Sequence, residues 1–169
     1  MTDTQGTSTR VGVATEADID GIVALQAANQ MARGGMLSAE LPRSRIAQMM
    51  QAMPLIVARN RNDITGFLMT TTRAMNADIP IVKAMFEAYE GTGDAYVYGP
   101  ICVGASERGK GLAQSLFAQL RLQQPGREGI LFIREDNEAS LKAHRRMGMK
   151  QVAEFQFNGF VYRVFSYIG

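Results

Sequence analysis

Ile101-Cys102-Val103-Gly104-Ala105-Ser106-Glu107-Arg108-Gly109-Lys110-Gly111-Leu112-Ala113 is the stretch that decides how this chain is read. It begins as an apolar strand, passes through a glycine-rich loop, and enters a segment of small residues with Leu112, Leu116 and Leu120 at i, i+4, i+8. The first turn of a helix presents backbone N–H groups without partners, together with the positive end of the helix dipole. Glycines ahead of it let an anion approach the main chain closely. The stretch therefore predicts a phosphate or pyrophosphate seat at the start of a helix over 109–123, with Arg108 and Lys110 adding positive charge.

Several ligands could use such a seat. A P-loop needs G-x-x-x-x-G-K-[ST]; Gly104 through Lys110 supplies the first seven positions, but Gly111 stands where a hydroxyl must hold magnesium. A dinucleotide fold needs G-x-G-x-x-G near the first strand. Gly109-Lys110-Gly111 lies late in the chain and is followed by Gln114 where the third glycine or alanine would be. The pyrophosphate of coenzyme A is the third ligand, and a glycine-rich connector that binds nothing is the bland alternative.

Working outward, Arg10 to Ala14 predicts a short strand, and Thr15-Glu16-Ala17-Asp18 a capping box opening a helix to about Met31. Ala32-Arg33-Gly34-Gly35 breaks it. A second helix begins near Pro42, with Ile46, Met49, Met50 and Met53 spaced i, i+3, i+4, i+7, and stops at Pro54. Leu55–Ala58 and Ile64–Thr72 predict a hairpin around Arg59–Asp63. A helical segment over Ala77–Glu90 carries Ile81, Val82, Met85, Phe86 and Tyr89 on one face. Ala95–Val103 predicts a strand interrupted at Gly99-Pro100, where proline removes a ladder donor. A short strand at Ile130–Ile133, a helix from Asn137 to Met147 with Gly148 behind it, and a closing hairpin about Asn158-Gly159 complete the order. Strands and helices in this order give the α/β or α+β class in one domain, with a mixed sheet and helices on its faces.

A specific resemblance follows from two motifs. Arg108-Gly109-Lys110-Gly111-Leu112-Ala113 fits the R/Q-x-x-G-x-G/A signature of the GNAT superfamily of acyl-CoA-dependent N-acyltransferases. Downstream, Asn137, Ser140, His144, Gly148 and Met149 resemble that family's N-x-x-A/S-x-x-x-Y-x-x-x-G-F. The resemblance covers nearly the whole chain from Arg10. It implies a mixed, mostly antiparallel central sheet, splayed in the middle with helices on both faces. It also implies one domain over residues 10–169 behind a flexible tail at 1–9.

The resemblance further implies acetyl-CoA as cosubstrate, with its pyrophosphate on the main chain of Arg108, Gly109, Lys110, Gly111, Leu112 and Ala113. Its pantetheine arm would lie along Ile101, Cys102 and Val103, touching Asn137 and Ser140. Arg146, in a basic cluster with Lys142 and Arg145, would lie near the adenosine phosphate; a solvated helix face is the other reading. His144 stands where such proteins usually have a tyrosine that protonates the departing thiolate. It is a candidate acid, a positioning residue, or an ordinary helix histidine. Asn137, Ser140, His144 and Gly148 share one helix face by spacing.

Departures matter as much. Many relatives have a glutamate base just before the strand segment Ile101–Val103, where this chain has Gly99-Pro100. Tyr98, Tyr96, Asp94, Glu135, Asp136 and a water relay are the alternatives. Cys102 is expected to be a buried small hydrophobe rather than a nucleophile. Ala74–Gly93 is an insertion, expected to be a pocket wall, a dimer contact or plain packing. The acceptor site is expected at the Ala32–Met36 loop, the methionine stripe and Phe155–Tyr162, with core packing as the other use of that stripe.

Composition excludes other classes. The 169 residues carry 18 Lys and Arg against 16 Asp and Glu, a net charge of +2 that argues against a nucleic-acid partner. One cysteine and one histidine leave no Cys/His metal cluster, so no metal is expected. Without a signal-like start or a run of about 18 apolar residues, no membrane association and a cytoplasmic location are expected. The function expected is acetyl transfer to a primary amine of a small molecule, peptide or protein by direct attack in a ternary complex. The alternative is a catalytically silent CoA-binding module, and a homodimer is left open.

Overall fold

A computed structural model describes residues 9–30, 33, 37 and 40–169. Of the tail expected over 1–9, residues 1–8 lie outside the described residues, as does most of the Ala32–Met36 loop, while Thr9 already belongs to the first strand. Among those described are seven strands, β1 (Thr9–Val13), β2 (Ile56–Asn60), β3 (Asp63–Thr72), β4 (Tyr96–Val103), β5 (Glu128–Arg134), β6 (Lys150–Phe157) and β7 (Phe160–Ile168). Five α-helices accompany them: α1 (Ile19–Ala28), α2 (Arg43–Ala52), α3 (Pro80–Ala88), α4 (Leu112–Gln123) and α5 (Glu138–Arg146). The strands form one mixed sheet in the order β1-β2-β3-β4-β5-β7-β6. The β1–β2, β2–β3, β5–β7 and β6–β7 pairs are antiparallel, and β4–β5 is parallel.

The parallel ladder is short. Tyr96 pairs with Gly129 and Val97 with Ile130. β4 itself runs unbroken from Tyr96 to Val103 across Gly99, at φ 108, and Pro100, which has no N–H, so the interruption expected of the strand at Gly99-Pro100 is not found. Among the described residues no helix is long and apolar enough to cross a membrane.

The chain divides into two compact units. The first comprises the described part of Met1–Met69 together with Pro100–Leu120. Its core gathers Ile19, Ile22, Ile46, Met49, Met53, Phe67 and Leu116, all buried. The methionine stripe of α2 is thus used for packing. The entrance to α1 is the expected capping box: Thr15 N–H donates to Asp18 Oδ2 at 2.8 Å. Arg59 Nε donates to Asp18 Oδ1 at 2.9 Å, which keeps Arg59 in the ladder. The hairpin turn therefore shrinks from the expected Arg59–Asp63 to Arg61-Asn62, with Arg61 at φ 56.

The second unit comprises Thr70–Gly99 and Arg121–Gly169. Val82 and Met85 of α3 pack against Ala95, Val97, Ile130 and Val164, so the insertion covers part of this unit's core. Its helix begins at Pro80, three residues later than the expected Ala77, because Ala74–Asn76 forms a 3₁₀ turn and proline suits the first helical position. Glu128, 4% exposed, fastens the segment behind α3. It accepts from Tyr89 Oη at 2.8 Å, from Thr92 N–H at 2.7 Å, and from the Ser166 hydroxyl. The closing hairpin turns at Asn158-Gly159, both at positive φ (49 and 83), which the right-handed twist of paired strands favours.

Candidate functional site

The glycine-rich turn belongs to the first unit. The helix expected from Gly109 begins only at Leu112, because Gly109 and Gly111 both have φ 77, a conformation that cannot continue a right-handed helix. Lys110 between them has no positive φ, so the backbone alternates in hand across three residues, the arrangement that turns successive N–H groups toward one concavity. The ladder of α4 opens with Ser115 N–H donating to Gly111 O at 3.2 Å, which leaves the amides of Leu112, Ala113 and Gln114 ahead of it. A Cβ built on Gly109 or Gly111 meets no atom within 4 Å. Open space, orphan amides and a helix dipole coincide there, and these are the terms on which a pyrophosphate is held.

The Arg108 guanidinium is turned back onto its own unit, with Nη2 donating to Asn29 Oδ1 at 2.9 Å and Nε to Val103 O at 3.4 Å, both uncharged partners that leave its positive charge in place. Lys110 Nζ lies 3.8 Å from Glu107 Oε2. In the strand that leads to this turn, Cys102 is buried while Ile101 and Val103 are half-buried. Burial pushes the Cys102 thiol up to about 11, so it stays protonated near neutral pH and is no nucleophile.

The second motif lies in the other unit. Asn137 caps α5, its side chain accepting from Ser140 N–H at 3.2 Å, which is the ordinary role of an N-cap asparagine. Gly148, at φ 89, follows the helix as its left-handed C′ residue. His144 is 4% exposed. Its Nδ1 lies 2.7 Å from the Ser140 carbonyl, an acceptor only, so Nδ1 carries the proton. Nε2 is then an acceptor and takes the hydroxyl of Tyr98 at 3.2 Å. Burial lowers the His144 pKa below its ordinary 6.5, against a smaller opposing effect of the Ser140 carbonyl; the imidazole is neutral at pH 7.

Tyr98 is also buried, packed edge-on against His144 and Tyr167, and desolvation pushes its phenol well above 10. Tyr98 stood among several candidate bases in the sequence, and the structure selects it as the partner of His144. Three of the others are engaged differently: Tyr96 with the Tyr167 hydroxyl, Asp94 with Thr92, and Asp136 with Arg134 Nε at 2.6 Å.

Lys142, Arg145 and Arg146 are exposed on the last turns of α5, where positive charge suits the helix C-terminus. Phe155 and Tyr162 stack with ring centroids 5.3 Å apart, and Phe132 stands edge-on to both. Beside α3, Arg73, Asn76, Lys83, Phe86, Glu87 and Glu90 line a cavity. Sequence reasoning missed Asn29, the acceptor of Arg108. Nothing local marks it, since an asparagine at a helix end is commonplace.

A mixed, mostly antiparallel seven-stranded sheet with a glycine turn ahead of α4 defines an α/β protein. Among solved structures it matches GNAT proteins along almost its whole length. An acetyltransferase of the GNAT family from Streptococcus agalactiae aligns with TM-score 0.71 and 16% identity, over 98% of this chain and 96% of that one. A putative acetyltransferase from Salmonella typhimurium, solved with its cofactor acetyl-CoA, gives 0.69 and 15%, over 95% and 94%. The ribosomal-protein-alanine N-acetyltransferase from Brucella melitensis gives 0.67 and 20%, over 95% and 99%. No family model and no curated protein matches the sequence. The chain has the fold of the GNAT N-acetyltransferases.

Proposed function

We propose that this protein is an N-acetyltransferase that moves an acetyl group from acetyl-CoA to a primary amine by direct attack in a ternary complex. The observation that carries the proposal is the turn at Gly109–Gly111, with alternating backbone hand, unused amides and open space, on a fold shared with acetyl-CoA-bound proteins. The main chain of Arg108 to Ala113 would hold the pyrophosphate. Ile101, Cys102 and Val103 would run beside the pantetheine arm, with Asn137 and Ser140 as its polar contacts. Arg146 would lie near the adenosine phosphate.

Acetyl-CoA supplies a thioester carbonyl that an amine attacks with loss of the thiolate. The net reaction moves one proton from the acceptor nitrogen to the sulfur. His144 and Tyr98 suit that transfer. The Tyr98 hydroxyl carries a proton on the side facing His144, and Nε2 has a free lone pair for it. As Tyr98 Oη receives a proton it passes its own to Nε2, and the reverse sequence returns one to the sulfur, so the phenol never has to ionise. His144 thus serves as a proton carrier, held neutral by burial, in the place where such proteins usually have a tyrosine.

The solved relatives include an enzyme named for acetylating a ribosomal-protein alanine, which supports a peptide or protein amine as acceptor here. A single domain acting in the cytoplasm fits this reading. The test is thiol release from acetyl-CoA against a panel of small amines and N-terminal peptides. Release with one amine class supports the proposal, whereas acetyl-CoA binding without release for any acceptor supports the silent CoA-binding module.

A further inference from the structure

Asn29 is the residue at which α1 ends, and every polar group it has is committed. Its main-chain N–H donates to Gln26 O at 3.2 Å, and its carbonyl accepts from Leu37 N–H at 3.0 Å. Nδ2 donates to the Leu25 carbonyl at 2.8 Å, which fixes the orientation of the amide. Oδ1 is thereby directed at Arg108 Nη2, 2.9 Å away and 79 residues later in the chain. Asn29 is 6% exposed whereas Arg108 is exposed, so replacing the Asn29 oxygen by an apolar group removes the protein partner that orients the guanidinium and leaves that end of it to water.

Arg108 is the residue from which the chain enters Gly109-Lys110-Gly111. Glycines at positive φ give that turn its shape but, lacking side chains, nothing that anchors it. A Cβ at either glycine would touch no neighbouring atom, so neither glycine is held by packing on its Cβ side. Lys110 makes only a long ion pair to Glu107, with its own side chain 63% exposed. The Arg108 side chain, held by Val103 O behind it and Asn29 beside it, is the anchor.

We propose that Asn29 is a positioning residue for the pyrophosphate turn. By holding the Arg108 guanidinium against the end of α1, it fixes the direction in which the amides of Gly109 to Ala113 are presented. It therefore sets affinity for the diphosphate-bearing half of CoA and not for the pantetheine half. Because Asn29 also accepts from Leu37, the chain beyond α1 and the pyrophosphate turn share one anchor. The inference rests on the acetyl-CoA reading given above.

The test compares two probes, CoA and pantetheine, the latter lacking the diphosphate. CoA is titrated calorimetrically and pantetheine by ligand-observed NMR, into wild type, Asn29→Leu, Asn29→Asp and Arg108→Leu. Asn29→Leu is expected to weaken CoA about tenfold and leave pantetheine unchanged, the scale of one lost orienting hydrogen bond. Asn29→Asp, which keeps an oxygen for Arg108 but loses the Nδ2 donor to Leu25 O, is expected to recover part of that loss. Arg108→Leu, at an exposed position, is expected to match Asn29→Leu, and adding it to Asn29→Leu to cost nothing more. Should Asn29→Leu not fold, Arg108→Leu carries the same comparison. Equal loss for CoA and pantetheine, or no loss for CoA, overturns the positioning role while leaving CoA binding intact. Wild type that binds neither probe overturns the acetyl-CoA reading and this inference with it.

Discussion

Gly111 shows how one residue carries both shape and chemistry. At φ 77 an alanine would be strained by about 1–2 kcal/mol, although its Cβ meets no protein atom. Gly111→Ala should therefore leave the protein folded and weaken CoA at least about tenfold, by calorimetry, because the added methyl occupies the space an anion needs. His144 gives the second residue-scale prediction. Burial holds its pKa below 6.5, so in the proposed mechanism a neutral His144 carries the proton above that pKa and is blocked as imidazolium forms. Acetyl transfer should be flat near neutral pH and fall in acid, and His144→Phe should abolish the acid limb with most of the rate. A rate that instead falls as pH rises from 5 to 7 would make the imidazolium a direct acid.

Among the elements, the insertion between β3 and β4 depends on one buried carboxylate. Burial alone would raise the Glu128 pKa, but donors from Ser166, Thr92 and Tyr89 outweigh it and hold the group below 4.5. Glu128→Gln replaces an acceptor of three hydrogen bonds by an amide that must turn a donor toward donors. It should cost about 2–3 kcal/mol in urea unfolding. Element boundaries also show what the sequence made legible. The α5 cap and the Asn158-Gly159 turn depend on residues a few positions apart, and they stand where the local pattern puts them. The start of α4 did not, because leucine spacing cannot reveal that Gly109 and Gly111 have turned left-handed. The R-x-x-G-x-A spacing of Arg108 to Ala113 marked the turn itself, since that motif is local. Its anchor Asn29 and the partnership of Tyr98 with His144 join residues far apart in sequence, and the charge state of His144 is set by burial that only the fold creates.

At the scale of the whole molecule, folding and titration are linked. The unfolded chain protonates His144 at 6.5, whereas the folded chain resists until a lower pH. This group's contribution to stability is full above pH 6.5 and is lost as pH falls from 6.5 through the lowered value. Asp18, lowered first by its hydrogen bond from Arg59 and then by Thr15, and Glu128 add further losses in more acid solution. Thermal denaturation should show a decline below pH 6.5 that His144→Phe removes if the cavity is filled, with a second, steeper decline below pH 4.5. The decisive measurement remains thiol release from acetyl-CoA, followed with N-terminal peptides and small amines, for wild type and Gly111→Ala together. Acetyl-CoA-dependent release with one acceptor class, lost in proportion to CoA affinity in the variant, is the predicted result. Release that is indifferent to Gly111→Ala, or no CoA binding by wild type, would contradict it.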